Sequence, residues 1–250
     1  MGRDDQTENA TGSLAAQTVA GANVIVIASV IAKAGSFVTQ IVLGLLLSDK
    51  EFGIYGSAIG LAAFIEFVRD GGTQHLLVQR GGNNYNKIAG TVFRIASSFN
   101  TAGALVLIAL AGLFATTNIS TDSAYADPRF PLMLLIIGIS IPLATPGTLF
   151  LAKLSADLRF KKIARIQTTD ALLKQAAMIL FAVLGAGPLS FVLPLILSAL
   201  YRSIAGYRLT RDALWKRPNI RRLWKPIIGK CKWLIVLSLA IAMFNMGDYL

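Results

Sequence analysis

Long apolar segments separated by short polar ones run through the whole sequence. The first, 20–47, carries one charged residue, Lys33. As a helix rising about 1.5 Å per residue it would be roughly 42 Å long, enough to cross a hydrocarbon core of about 30 Å with some tilt. Similar segments follow at 52–68, 88–115, 130–151, 166–184 and 189–207, and a seventh begins at Trp233. The pattern predicts an all-α, multi-pass membrane protein with six complete transmembrane helices and the start of a seventh.

Composition supports this class and divides the chain into four parts. Hydrophobic residues make up 54% of the chain and charged residues 15%, against about 25% charged in soluble domains. Long uncharged segments favour helices over the alternating strands of a β-barrel. We expect a disordered cytoplasmic tail over 1–19, which lacks the features of a signal peptide, and a six-helix lobe over 20–207. A basic cytoplasmic loop over 208–232 and a partial seventh helix over 233–250 follow.

The distribution of positive charge predicts the orientation. The net charge is +11, and all but a few of the 24 Lys and Arg residues fall in the tail and in the loops on the same side of the membrane. The loops on the other side contain only Lys50 and Arg129. Cytoplasmic loops collect Lys and Arg, so the N-terminus is predicted to be cytoplasmic, and the charge needs no nucleic-acid partner. The loop 208–232, with Trp215 and Trp224, is expected to lie against anionic headgroups of membrane lipids.

Residue types that carry enzyme chemistry are scarce. The chain has one cysteine, Cys231, and one histidine, His75, which argues against a disulfide framework, a Cys or His metal site and a Ser-His-Asp triad. The glycines at 71 and 72 lack the spacing and the following Lys-Ser/Thr of a phosphate-cradling loop. We therefore expect no enzyme activity, no metal and no cofactor.

Polar residues within the apolar segments fall on single helical faces. Spacings of three and four residues place them there, and the faces comprise Ser29, Lys33, Ser36 and Gln40 in the first helix, Arg94, Ser97, Ser98 and Thr101 in the third, and Gln167, Asp170 and Lys174 in the fifth. An ionisable residue deep in a membrane indicates a functional site. Helices with such faces can enclose a wet cavity that attracts an anion, of which a phosphate or pyrophosphate is the obvious class.

Each of these cations also has a simpler interpretation. Lys33 and Arg94 would then extend toward the headgroups, and Asp170 and Lys174 would form a local ion pair within their helix. Two further acids, Glu66 and Asp248, are candidates for a proton or cation site or for a counter-ion to Lys33.

Three segments resemble a known family. The longest is LLSDKEFGIYGSAIGLAAFIEFVRDGGTQHLLVQRG (46–81), with a Leu-Ser-x-x-x-Phe-Gly turn, a helix and a segment ending in Gln-Arg. The others are LSADLRFKKIARIQ (154–167), similar to the connector between helices four and five, and the Leu-Gly-Ala-Gly turn at 184–187. Together they resemble bacterial polysaccharide and oligosaccharide-lipid flippases, which belong to the multidrug/oligosaccharidyl-lipid/polysaccharide exporter superfamily.

The resemblance implies a function and a site. It implies two six-helix lobes around a cavity that moves an undecaprenyl-pyrophosphate-linked oligosaccharide across the bacterial inner membrane by alternating access, as a step of polysaccharide biosynthesis. It makes Lys33 the first candidate for a cavity cation. The substrate-binding candidates are then Lys33, Gln40, Arg94 and Lys174, and the coupling-ion or counter-ion candidates are Glu66, Asp170 and Asp248.

The sequence accounts for one such lobe, so we expect it to be the N-terminal half of the transport path. The expected partners are the anionic lipid-linked oligosaccharide, membrane lipids, and either a second lobe or the polymerase and glycosyltransferases of the same process. Two alternatives remain: a cation-coupled multidrug exporter of the superfamily, and a non-transporting membrane scaffold of a polysaccharide assembly complex.

Overall fold

Six long α-helices follow one another in the part of the chain that the computed structural model describes, with no strand between them. They are α1 (Asp4–Leu46), α2 (Asp49–Asp70), α3 (Thr73–Thr116), α4 (Arg129–Ala156), α5 (Phe160–Val183) and α6 (Leu193–Thr210), with single 3-10 turns at Ala124–Ala126, Gly187–Phe191, Leu214–Lys216 and Arg221–Leu223. The backbone is described for 4–70, 73–116 and 124–229, and side chains from residue 23 onward except those of 64–70, 73–76, 79–84, 86–87 and 124.

Four helical segments in this part of the chain are long and apolar enough to cross a membrane. They are Asn23–Leu46, Ile88–Thr116, Arg129–Ala156 and Gly187–Thr210. The predicted all-α membrane class is confirmed, whereas four candidate spans are found where six were predicted. The helices α2 and α5 are 22 and 24 residues long, but polar residues interrupt their apolar sequence. The seventh segment, 233–250, lies outside the described residues.

Two stretches predicted to be irregular are helical instead. Residues 4–19, expected to be a disordered tail, begin α1, and residues 73–87, interpreted as a loop, begin α3. Neither stretch contains proline, so every residue keeps the backbone N–H that a continuous helix uses. In the second stretch Leu77, Tyr85 and Ile88 are buried in one core cluster. Their spacing places them on one helical face, so tertiary packing stabilises a helix that composition alone hides.

The Leu-Ser-x-x-x-Phe-Gly turn is a helix start that is capped by a side chain. The backbone N–H and the hydroxyl of Ser48 both donate to Oε2 of Glu51, at 2.9 and 3.1 Å. The bond from the Ser48 N–H to the Glu51 carboxylate is one half of a capping box, whereas the Ser48 hydroxyl donates to that carboxylate and accepts no backbone N–H. One residue later, Phe52 lies edge-on to Phe191 with ring centroids 5.2 Å apart. The motif therefore fixes where α2 begins and attaches it to the turn before α6.

The bundle has a tightly packed centre, and its first helix packs mainly against α5 at one side. The most extensive contacts are between α3 and α4 and between α4 and α6, whereas α1 packs against α5. Glycines allow the close approach of α4 and α6: a Cβ on Gly147 would lie 3.0 Å from backbone atoms of Arg202 and Ser203. Small residues serve this purpose at helix contacts in membranes. On α5, the Gln175 amide donates to the Ala32 carbonyl of α1 at 2.8 Å.

After α6 the chain folds back across the ends of α3 and α4. We call residues 211–225 the basic strap. Leu214 is buried in the cluster formed by α3 and α4, and the Ile220 N–H donates to the Thr91 hydroxyl at 3.0 Å. A Cβ on Gly90 would lie 2.6 Å from both Cβ of Arg217 and the carbonyl oxygen of Pro218. The strap is therefore seated on α3, and Gly90 provides the space.

Replacing Gly90 by Ala should displace the strap. The added methyl group would meet strap backbone, which cannot rotate away, and overpacking of this kind costs about 1–3 kcal/mol. Gly112→Ala is the matched control, because Gly112 lies in the same helix with no neighbouring atom within 4 Å of the position that a Cβ would occupy and alanine favours a helix over glycine by about 1 kcal/mol. We expect Gly90→Ala to lower thermal stability in detergent and to speed tryptic cleavage in the strap. Equal stability of the two variants would contradict the close fit.

Candidate functional site

A polar pocket lies between α4, α5 and α6. Each helix contributes a pair of residues four positions apart, which therefore lie on one face. The pairs are Ser140 and Ala144 on α4, Asp170 and Lys174 on α5, and Ser198 and Arg202 on α6, with Leu195 and Ala199 completing the wall. The pocket thus gathers two cations, one carboxylate and two hydroxyls in the middle of an otherwise apolar bundle.

Asp170 organises the polar side of this pocket. The Ser198 hydroxyl donates to Oδ1 of Asp170 at 2.6 Å. Arg202 Nε lies 4.0 Å from Oδ2 of the same carboxylate, at the outer limit of an ion pair. Lys174 lies one helical turn beyond Asp170 and lines the same pocket. With two cations and one carboxylate, the pocket has a net charge of +1 when all three groups are ionised.

The cavity volume is about 200 Å³. Pockets for small organic ligands usually measure about 300–1,000 Å³. A space of this size holds a few water molecules or one small anionic group. It does not hold a whole oligosaccharide.

The packing of α4 against α6 holds Arg202 in position. The Ser203 hydroxyl donates to the Leu143 carbonyl of α4 at 2.7 Å. Close approach at Gly147 brings the Arg202 backbone against α4, so the guanidinium is attached to a backbone segment that is held in place.

In α4 itself, Pro142 has no N–H for the Gly138 carbonyl, and the helix nevertheless continues through it.

The structure brings two of the seven predicted site residues together. Lys174 and Asp170 line the pocket. Lys33, Gln40 and Arg94 are exposed on α1 and α3 and do not line it. Of the two remaining candidates, the side chain of Glu66 and the whole of Asp248 lie outside the described residues.

Sequence reasoning missed part of the pocket. Ser198 and Arg202 show the same four-residue spacing as Asp170 and Lys174, a signal that was available. Near the basic end of α6, Arg202 resembles from sequence alone a residue that extends to the membrane interface. Ser140 gave no signal, since an isolated serine in an apolar helix commonly bonds its own backbone, and here its hydroxyl donates to the Ile137 carbonyl at 2.7 Å.

A second charged cluster lies where the strap meets α4. Asp212, with a side chain 2% exposed, accepts from Lys153 Nζ at 3.1 Å and from Arg217 Nη2 at 2.9 Å. Burial alone would raise the pKa of Asp212, but the hydrogen bonds from Lys153 and Arg217 outweigh it and lower the pKa below its ordinary value. Lys153 Nζ also lies 5.0 Å from the ring centroid of Tyr85. Burial, and then the charge of Asp212, raise the pKa of the Tyr85 hydroxyl, so Tyr85 stays neutral.

No group of three His, Cys, Asp or Glu side chains that could hold a metal ion occurs among the residues whose structure is described. The lining of the pocket presents cations and hydroxyls around a single carboxylate. Such an arrangement suits the binding of an anion.

Comparison with known proteins shows which family the chain belongs to. A family model described as polysaccharide biosynthesis protein matches residues 42–250. The chain belongs to this family. The resemblance found in the sequence is therefore confirmed at the level of a polysaccharide transporter family.

One curated relative of this family member is the succinoglycan biosynthesis transport protein ExoT of Rhizobium meliloti. It is 28% identical over 190 residues, which cover 74% of this chain and 37% of the relative. The chain thus matches a little over one third of the relative's length. The relative's name describes a transport protein and no catalytic activity. No solved structure matches the chain.

Proposed function

We propose that this chain forms one lobe of a transporter that moves an undecaprenyl-pyrophosphate-linked oligosaccharide across the bacterial inner membrane by alternating access. The observation that carries the proposal is the cationic pocket between α4, α5 and α6 in a member of the polysaccharide biosynthesis family. The positive-inside pattern supports a cytoplasmic N-terminus.

The proposal includes six spans. At about 1.5 Å per residue, α2 and α5 would be roughly 33 and 36 Å long, enough to cross a hydrocarbon core of about 30 Å. The charges that make α5 less apolar, Asp170 and Lys174, lie in the pocket. A polar residue that faces the interior of a bundle does not prevent a helix from crossing a membrane.

An anion would bind by exchanging ion-pair partners. An entering phosphate competes with Asp170 for Arg202, whose Nε is 4.0 Å from the carboxylate. Lys174 on the same pocket wall adds a second positive charge. Charge-assisted hydrogen bonds from Arg and Lys to phosphate are about twice as strong as neutral ones. Asp170 acts as the counter-ion that keeps the two cations stable when the pocket holds no anion.

The remaining substrate contacts belong to a larger cavity. A pocket of about 200 Å³ holds the charged group and leaves the sugars elsewhere. Transporters of this kind bind substrate between two repeats, and the match to about one third of a longer transport protein is consistent with a second lobe. In this proposal the exposed Lys33, Gln40 and Arg94 face that shared cavity.

Deleting the gene tests the function. We expect the deletion strain to lose surface polysaccharide and to accumulate the lipid-linked oligosaccharide on the cytoplasmic leaflet. Glycosidases added to intact spheroplasts reach only the outer leaflet, so they should leave the accumulated intermediate uncleaved. Restoring the gene should reverse both effects. Normal exposure of the intermediate on the outer leaflet would contradict transport. Failure to form the intermediate would favour the scaffold alternative instead.

A further inference from the structure

We infer that the outer face of the basic strap, residues 211–225, is a binding surface for the headgroups of anionic membrane lipids. This inference does not depend on the proposed transport activity. It rests on where the strap lies, what its outer face contains and how firmly it is held.

The strap lies at the level where three candidate spans end. It leaves α6 at Thr210, the last residue of one span, and contacts Gly90 and Thr91 just inside the span that begins at Ile88. Its Asp212 binds Lys153 in the last turn of α4. The ends of three spans mark the boundary between hydrocarbon and headgroups, so the strap is placed at that boundary.

The outer face of the strap is cationic. Five basic side chains are exposed there, and none has an acidic partner among the residues whose side chains are described: Arg211, Lys216, Arg221, Arg222 and Lys225. The only acid of the strap, Asp212, is buried and bound to Lys153 and Arg217. Its charge therefore does not neutralise the exposed face.

Aromatic and apolar side chains lie among these cations. Trp215 is 48% exposed, and its ring lies 5.4 Å from that of Tyr207, which is 43% exposed. Ile220 is also exposed. Exposed Trp and Tyr at the end of a span are typical of the membrane interface, and Lys and Arg at this level attract anionic lipids. A water-soluble acidic partner would match the charges but would not account for the exposed Trp–Tyr pair at the end of a span.

The strap is also held in shape before any lipid binds. The buried Asp212 fastens its beginning, and the Ile220 N–H donates to the Thr91 hydroxyl. A fixed surface loses less conformational entropy on binding than a flexible loop does. The cations are therefore already positioned for a plane of phosphates.

Quenching by brominated lipids tests the surface. Of the three tryptophans, Trp215 is kept and the other two are removed by Trp224→Phe and Trp233→Phe. This variant is placed in nanodiscs that contain equal amounts of phosphatidylglycerol and phosphatidylcholine. In one sample the phosphatidylglycerol is brominated, and in the other the phosphatidylcholine. We expect about twofold stronger quenching by brominated phosphatidylglycerol, because cations at the surface enrich anionic lipid. Raising salt from 0.1 to 1 M shortens the screening length from about 10 to about 3 Å and should reduce the difference.

Charge reversal supplies the matched control. Arg221→Glu with Arg222→Glu should abolish the preference, whereas Lys161→Glu with Arg165→Glu, the same charge change at exposed positions of α5, should leave it. Native mass spectrometry of the unsubstituted protein should show the same preference as retained phosphatidylglycerol. Equal quenching by both lipids, or equal loss in both charge-reversed variants, would overturn the inference. Absence of quenching by either lipid would overturn it too, because it would place Trp215 away from the bilayer.

Discussion

Replacing Lys174 or Arg202 by Ala should lower export of surface polysaccharide at least about tenfold, and replacing both should abolish it. A hydrogen bond to a charged group is worth about 1.5–3 kcal/mol, and about 1.4 kcal/mol corresponds to a factor of ten. Both side chains line the pocket with Asp170. In the proposed mechanism they are the groups that meet the phosphate, so each loss weakens substrate binding directly.

The same two helices provide the controls. Lys161→Ala on α5 and Arg208→Ala on α6 remove the same residue types at exposed positions outside the pocket. We expect near-normal export from both. Surface polysaccharide is measured per unit of membrane-inserted protein, which separates activity from abundance. Arg202→Lys should retain part of the activity, because it keeps the charge and loses the planar guanidinium. Normal export from Lys174→Ala and Arg202→Ala at equal protein level would contradict the assignment of the pocket.

Replacing Asp212 by Asn should destabilise the chain by about 2 kcal/mol. Removing one partner of a fully buried ion pair costs about 3–5 kcal/mol. The expected loss is smaller here because the side chains of Lys153 and Arg217 are 19% and 30% exposed and regain some hydration. Asp157→Asn is the matched control, since Asp157 pairs with Arg159 at 3.9 Å on an exposed surface, where ion pairs contribute about 0–1 kcal/mol. Thermal unfolding in detergent measures both.

The pH dependence of this difference distinguishes charge from shape. The pKa of Asp212 is lower in the folded protein than its ordinary value of 3.8, so ionised Asp212 stabilises the fold at every pH above that value. The contribution is lost as pH falls below 3.8 through the folded pKa. We expect the stability difference between the original chain and Asp212→Asn to be constant from neutral pH to about 5 and to shrink only below about 4. A difference that is unchanged in acid would mean that the charge of Asp212 is not what stabilises the strap.

Much of the fold could be predicted from hydrophobic pattern, and its limits have physical causes. The spans of α1, α3, α4 and α6 are long apolar segments, which is the information a hydropathy pattern carries. The helix over 73–87 was missed because its stability comes from burying Leu77 and Tyr85 against other helices. The seating of the strap on Gly90 is equally tertiary. Local sequence cannot report contacts between residues more than a hundred positions apart.

The candidate site was half predictable for the same reason. Asp170 and Lys174 were found because they share one turn of one helix, a local relationship. Their partners Ser198 and Arg202 come from another helix, and only the packing of α5 against α6 brings the four together. Lys33, Gln40 and Arg94 were selected by the same rule of spacing, yet they lie exposed on other faces. Spacing identifies a polar face without indicating what the face meets.

The low burial of α1 makes resistance to displacement uneven among the described helices of this lobe. Only 6% of the α1 span is buried, against 61% of the α4 span. Pulling α4 aside would uncover most of the interior, whereas tilting α1 would uncover few residues and break the Gln175 bond to Ala32. Segments with few buried contacts open at the lowest free energy. Among the described helices, α1 is therefore expected to move at the lowest free-energy cost. Helix α4 is held in place by its contacts with α3 and α6.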